Sequence, residues 1–483
     1  MQKYSNSISA SLFWNLLERA GTQGTQLVVS IILARMLLPE AYGILSLVTV
    51  FVSIATVFVE TGFGSSIIQK KDLTKGQTDV VFTFNFLASL ILFAILWVCA
   101  PLIATFYSNY DHVLLEKVIR VYALILPAGA VTSIQSAVIY RDMQFRKFFL
   151  VNIAVILISS AIGIGLAWAG VGVWALIGQQ LSAKLSQLII LLFVVKWKPH
   201  LDFRMKKSWD LFKFGSNILL NRLLNVLYNQ VSSLVIGKRY SSDMLAFYSK
   251  GHTFPSLIAT NTDYAMQKVM FSAYSKNQDE LPCVKAMMKK TISLSTFLLF
   301  PLMFGMFACA ENITRVLLTD KWLPCVTYMQ IFSLSYMLQP FGTTAAQALN
   351  GIGRSDISLK TGVAIKMAGI ALIIVAVPLG MPFMAGAVLL TSVISSASYM
   401  AVNTKVFAYS LKEQLGDVAA NVLTAASMAA VCLLLGHCLH GLRPILILML
   451  QVLSGGIWYI AVSLAVKNKN LFYLIGKLKS ILK

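Results

Sequence analysis

Fourteen apolar stretches, each long enough to cross a bilayer, run almost end to end through this 483-residue chain. A spanning helix needs about 20 mostly apolar residues, because the hydrocarbon core is roughly 30 Å thick and offers the backbone no other hydrogen-bond partner. The stretches lie near Leu12–Met36, Ala41–Ile67, Val80–Tyr107, Val113–Ile139, Phe148–Ala169 and Val173–Val195. They continue near Leu211–Ile236, Met244–Met270, Thr291–Ala310, Tyr328–Leu349, Ile357–Val377 and Phe383–Phe407, and end near Val418–Leu439 and Pro444–Val466. No connection is long enough for an independent soluble domain. Only 12% of residues are charged and the mean hydropathy is +0.75, about half the charge of an ordinary soluble protein. The fold class is therefore an all-α integral membrane protein with 14 transmembrane helices, and a cytosolic enzyme is excluded.

The few charges are lopsided: 40 Lys and Arg against 19 Asp and Glu, a net +21. In a soluble chain such an excess would suggest a nucleic-acid partner. Here topology accounts for most of it, because Lys and Arg favour cytoplasmic connections. Numbering the spans in order, the N-terminus, the even-numbered connections and the C-terminal tail hold 27 of them, including Lys70, Lys71, Arg146, Lys147 and Lys289. The odd-numbered connections hold 6: Arg35, Lys238, Arg239, Arg315, Lys321 and Arg443. Both termini are expected in the cytoplasm. No cleavable signal pattern precedes the first helix. The six cysteines form no CxxC pair, and His437 with His440 is the one close histidine pair, so no metal site and no disulfide framework is expected.

The chain repeats itself. A shift of 203 residues superposes Arg19 on Arg222, Ser30 on Ser233, Arg35 on Lys238, Glu40 on Asp243, Ser53 on Ser256 and Glu60 on Asp263. A shift of 213 aligns Pro127 with Pro340 and Arg141 with Arg354. Matches at polar positions inside apolar helices are less expected by chance than apolar ones. Six spans separate the copies, so the repeats are parallel and related by an axis along the membrane normal. This predicts an N-lobe over 1–200, a C-lobe over 201–410, and two appended helices with a basic tail over 411–483.

Four spans carry polar stripes at helical spacing. Span 1 has Arg19, Gln23, Gln26 and Ser30, and span 2 has Ser46, Thr49, Ser53, Thr56 and Glu60. Span 7 has Arg222, Asn225, Asn229 and Ser232, and span 8 has Ser249, His252, Ser256, Thr260 and Asp263. Interhelical hydrogen bonding explains one such stripe. Four at matching repeat positions point to an aqueous cavity. Arg19 and Glu60 lie equally far from the turn near residue 39, as do Arg222 and Asp263 from the turn near 242. The pairs therefore serve either as neutralising ion pairs or as an anion site whose arginines are held by the acids. Arg suits a diphosphate because its planar fork donates parallel hydrogen bonds. Lys184 and Lys250, well inside their spans, are further cationic candidates.

Certain segments resemble the Wzx-type polysaccharide flippases of the multidrug/oligosaccharidyl-lipid/polysaccharide exporter superfamily. These are Leu33-Ala-Arg-Met-Leu-Leu-Pro-Glu-Ala-Tyr-Gly43, Glu60-Thr-Gly-Phe-Gly-Ser-Ser-Ile-Ile-Gln-Lys71, Val269-Met-Phe-Ser-Ala-Tyr-Ser275 and Leu349-Asn-Gly-Ile-Gly-Arg-Ser-Asp356. The resemblance covers spans 1–12. It implies two pseudo-symmetric six-helix lobes around a central cavity lined by spans 1, 2, 7 and 8, plus two C-terminal helices. It also implies alternating-access flipping of an undecaprenyl-diphosphate-linked oligosaccharide across the bacterial cytoplasmic membrane, with no cofactor. The drive would be H+, Na+ or the membrane potential, and the polymerase and glycosyltransferases of the same pathway are the expected protein partners. Arg19, Arg222, Lys250 and Lys184 would meet the diphosphate; Glu60, Asp263, Gln23, Gln26, Asn225, Asn229, Ser53 and Ser256 would line the cavity. One departure is that similar sequences often carry an acid in the outer third of span 7, where this chain has Ser232 and Ser233. The alternatives are a multidrug/organic-cation antiporter of the same superfamily, which needs more buried acids, and a membrane polysaccharide polymerase or ligase, which needs a large outer loop.

Overall fold

A computed structural model describes residues 21–61, 67, 74–204, 209–439 and 441–481. Every regular element among them is helical. Helix α1 covers residues 21–36. After a two-residue turn comes α2 (Pro39–Thr56), running into a π-helical turn, Val57–Thr61. Next are α3 (Lys75–Phe106), α4 (His112–Tyr122), α5 (Ile125–Arg141), α6 (Phe145–Trp168) and α7 (Val173–Val194). The second half begins with α8 (Trp209–Arg239), α9 (Ser242–Lys276), α10 (Leu281–Leu317), α11 (Cys325–Met337) and α12 (Gln339–Gly351). It ends with α13 (Ser355–Ala376), α14 (Met381–Phe407), α15 (Leu411–Cys438), α16 (Pro444–Ala465) and α17 (Lys469–Ile481).

Ten helices among the described residues are long and apolar enough to cross a membrane, so this is a multi-pass membrane protein. The expected spans that miss the criterion are informative. Span 1 is described only from residue 21. Helices α8 and α9, of 31 and 35 residues, are about 46 and 52 Å long, so their length suffices and their polarity disqualifies them. They are the spans that carry the polar stripes of the second repeat.

The fourth and tenth expected spans each break just before a proline. The chain turns at Ala123–Leu124 ahead of Pro127, and at Leu338 ahead of Pro340. Proline lacks an N–H and its ring crowds the carbonyl four residues back. The ladder tightens in response: Leu126 N donates to Ala123 O at 3.0 Å, and Leu338 N to Ser335 O at 3.3 Å. The repeat aligned through these prolines is thus expressed in the backbone.

The chain divides into two compact units, Met1–Ala246 and Phe247–Lys483. The first unit runs on past residue 200 because α8 packs on α2 and the π-turn. The first unit's core joins α3, α5, α6 and α7 through Val81, Phe82, Val131, Ile134, Phe148 and Leu191. In the second unit, α15 and α16 share the core of α10: Met303, Met428, Cys432 and Tyr459 belong to one buried cluster, and Tyr459 Oη donates to Phe297 O at 2.7 Å. Helices α15 and α16 therefore pack into the core of the second unit.

Candidate functional site

The first unit places a charged pair at the end of α2. The π-turn inserts one extra residue per turn, a feature that recurs at functional sites, and carries Glu60 towards α7. Lys184 Nζ lies 2.6 Å from Glu60 Oε1, with 20% and 32% of the two side chains exposed. Gly129, two residues after the helix-breaking Pro127, makes room for them. A Cβ there would lie 3.0 Å from Glu60 Oε1 and 3.4 Å from Lys184 Cε. The sequence had set Glu60 level with Arg19; the partner it finds is Lys184, and Arg19 lies outside the described residues. Counting residues from a turn compares only the two helices of one hairpin and is silent on a partner from another helix.

The stripe on α2 is partly absorbed by bonding. Thr56 Oγ1 donates to Val52 O at 2.8 Å, and Ser53 accepts from Gln230 Nε2 of α8 at 3.3 Å. On α1, Gln23 is half-buried and Gln26 is exposed. On α8, Ser232 is buried, whereas Arg222, Asn225 and Asn229 are exposed. Arg222 makes no ion pair among the described residues.

Helix α8 is held at one end. Asn109 Nδ2 donates to the carbonyls of Lys238 and Tyr240 at 3.2 and 3.4 Å, and Tyr107 Oη donates to Leu234 O at 3.5 Å. In return, Lys238 Nζ donates to Phe106 O and sits 4.1 Å from the Phe106 ring centroid. The C-termini of α3 and α8 thus cap one another's free carbonyls. Beside this clasp the two hairpins touch: a Cβ on Gly43 would lie 1.9 Å from Ser242 O, so only glycine allows the approach. The other half of α8, towards Arg222, is open, with Leu220 and Leu224 about half exposed.

In the second unit the stripe of α9 meets α11 and α12. His252 Nε2 and Tyr336 Oη are 2.7 Å apart, and Tyr336 also bonds Ser256. Asp263 Oδ2 accepts from Gln339 Nε2 at 2.9 Å. Thr260 bonds its own helix. Interhelical hydrogen bonding therefore satisfies much of this stripe, the blander of the two readings. Lys250 is 5% exposed, with Nζ 5.8 Å from the Trp322 ring centroid. It is buried within the packing of the second unit's helices.

Gly129, Gln230, Tyr336, Gln339 and Asn109 were not singled out from sequence. Three of them adjoin the repeat prolines, which was the available signal.

Helices on this scale, with breaks at matched prolines and charged groups within the spans, describe a multi-pass membrane protein with a polar interior. In fold the chain is similar to the lipid II flippase MurJ in an inward-closed conformation, with a TM-score of 0.77 over 95% of this chain and 100% of that one, at 14% identity. An inward-facing multidrug transporter of the MOP superfamily matches at 0.60 over 82% of this chain and 98% of that one, also at 14% identity. The polysaccharide biosynthesis protein family matches residues 32–327, and the chain belongs to that family. Among its relatives, the succinoglycan biosynthesis transport protein ExoT of Rhizobium meliloti (strain 1021) is 23% identical over 73% of this chain and 71% of its own. The lipopolysaccharide biosynthesis protein WzxC of Escherichia coli (strain K12) is 21% identical over 72% and 71%. The teichuronic acid biosynthesis protein TuaB of Bacillus subtilis (strain 168) is 23% identical over 63% of this chain, which spans 63% of the relative's length.

Proposed function

We propose that this protein flips an undecaprenyl-diphosphate-linked oligosaccharide across the bacterial cytoplasmic membrane by alternating access, for surface polysaccharide export. The observation that carries the reading is membership of a polysaccharide biosynthesis family joined to a transporter fold. The chain has fourteen spans in two six-helix lobes plus two C-terminal helices, and both termini lie in the cytoplasm. On this orientation the clasp at Asn109 and Lys238 closes the outer face, and the open half of α8 is cytoplasmic. Arg222, Lys184 and Arg19 meet the diphosphate entering from that side; Glu60 neutralises Lys184 until the substrate arrives. A proton, a sodium ion or the membrane potential drives the cycle, and the pathway's polymerase and glycosyltransferases act beside it. Organic-cation antiport is less well supported, because the charged groups here are as basic as acidic.

The test is transport into proteoliposomes of a short-chain polyprenyl-diphosphate oligosaccharide, followed by its protection from an external glycosidase. Wild-type protein should protect the sugar, and Arg222→Ala should cut the initial rate at least tenfold at equal abundance. Unchanged rates in Arg19→Ala, Arg222→Ala and Lys184→Ala would remove the anion site. Export of an organic cation without sugar protection would favour the antiporter.

A further inference from the structure

The last helix, α17, stands outside the transport machinery, and the inference from it is independent of what the protein carries. Its start is pinned. After α16 the chain turns at Lys467, whose φ is +51°, and reaches Asn468, 6% exposed. Asn468 Nδ2 donates to Asn421 Oδ1 at 2.9 Å, and Asn421 Nδ2 donates onwards to Ser293 O and Thr296 Oγ1, both at 2.9 Å. Asn470 Nδ2 donates to Ser293 Oγ at 2.9 Å, and its backbone N–H to Asn468 Oδ1 at 3.0 Å. A buried chain of amides therefore fixes the direction in which the helix leaves the last span.

With its direction fixed, α17 turns Leu471 and Leu474 onto the core of the second unit. Its remaining surface shows Phe472, Tyr473 and Ile475, which are 49%, 39% and 38% exposed. Lys290 Nζ lies 3.9 Å from the Tyr473 ring centroid, and Lys467, Lys469 and Lys479 are exposed. No Asp or Glu occurs anywhere after Asp417. Three residues separate the last span from this helix, so it starts where hydrocarbon gives way to headgroups. Aromatic and branched apolar groups with unopposed lysines, at that depth, match an interface of acyl chains and phosphate. A cytosolic setting would leave the apolar groups in water.

We propose that α17 lies in the plane of the membrane interface as a docking surface for anionic phospholipid, with Phe472 and Ile475 in the acyl boundary and Lys290, Lys467, Lys469 and Lys479 on the headgroup phosphates.

The full-length protein is reconstituted in nanodiscs of phosphatidylcholine with or without 30 mol% phosphatidylglycerol, about one lipid in three. Phosphatidylglycerol should raise the melting temperature of the wild type. The Lys467→Gln/Lys469→Gln/Lys479→Gln variant should need at least about tenfold more of it for the same rise, as expected for three lysines at a charged surface. In a Phe472→Trp variant, fluorescence beyond that of the native tryptophans should be quenched by lipids brominated on their acyl chains and not by aqueous iodide. An equal phosphatidylglycerol response in the triple variant would overturn the proposal. So would iodide quenching at position 472, or protection of that position by an added protein in place of lipid.

Discussion

Gly43→Ala is the sharpest probe of the clasp, proposed above as the outer seal, because the added Cβ has nowhere to go. It would lie 1.9 Å from Ser242 O, 2.5 Å from its carbonyl carbon and 2.9 Å from its Cα. A carbon and a carbonyl oxygen come no nearer than about 3.3 Å, so the start of α9 must retreat from α2 by about 1.4 Å. Backbone cannot rotate aside as the far end of a side chain can. The bonds from Asn109 and Tyr107, already at 3.2 to 3.5 Å, would stretch past useful geometry. Overpacking of this kind costs about 1–3 kcal/mol, and each lost hydrogen bond about 0.5–1.5 kcal/mol net. Taking the overpacking with the loss of one such bond, a penalty of about 2–4 kcal/mol falls on the clasped state alone, shifting the equilibrium away from it roughly 30- to 800-fold. The assay uses Ser242→Cys, a position 8% exposed in the clasped state, in a Cys438→Ser background, and a membrane-impermeant maleimide added from the outer side. Without Gly43→Ala the position should be protected; with it, labelling should be fast and transport should fall at least tenfold. Protection and wild-type transport in the Gly43→Ala protein would refute the clasp as the outer seal.

Lys184→Ala should abolish most transport; because it leaves Glu60 unpaired inside the protein, abundance and initial rate are measured together and compared with Lys184→Ala/Glu60→Gln. Gly129→Ala should slow transport by a smaller factor, since its Cβ meets a carboxylate oxygen at 3.0 Å and the side chain can give by a few tenths of an ångström, and Gly129→Leu should slow it far more. Asn421→Ala should destabilise the second unit by about 2–3 kcal/mol, read as a lower melting temperature in detergent, because it strips partners from Ser293, Thr296 and Asn468 at once.

Much of the helical framework was legible because hydrocarbon thickness imposes a length that a 20-residue window can find. The same windows found α8 and α9, and the recurrence of Arg19 at Arg222 and Glu60 at Asp263 marked them as the counterparts of spans 1 and 2. Pro127 and Pro340 marked the two helix breaks within a few residues, since the missing N–H is a local property. Tertiary partners were not legible. Glu60 and Lys184 are 124 residues apart, and a stripe specifies which face of a helix is polar, not which neighbour it meets. Lys250 illustrates the same limit: nothing local to span 8 indicates that Trp322 will cover it. Ser53 and Ser256 read as cavity lining, and each bonds a side chain on another helix, Gln230 and Tyr336.

The repeat persists in packing where it has been lost in charge. Shifting by 213 carries Gly129 to Gly342 and Lys184 to Ala397. Gly342 of α12 lies against Ser395 and Tyr399 of α14, either side of Ala397, with a Cβ there 3.5 and 3.4 Å from them. In each unit, then, a glycine just after the helix-breaking proline receives the helix that follows two spans later. What it receives differs: an ion pair in the first unit, a serine and a tyrosine in the second. The second unit's acid, Asp263, has taken an amide partner, Gln339. One unit therefore offers a lysine whose counter-charge can be exchanged, and the other offers neutral donors and acceptors.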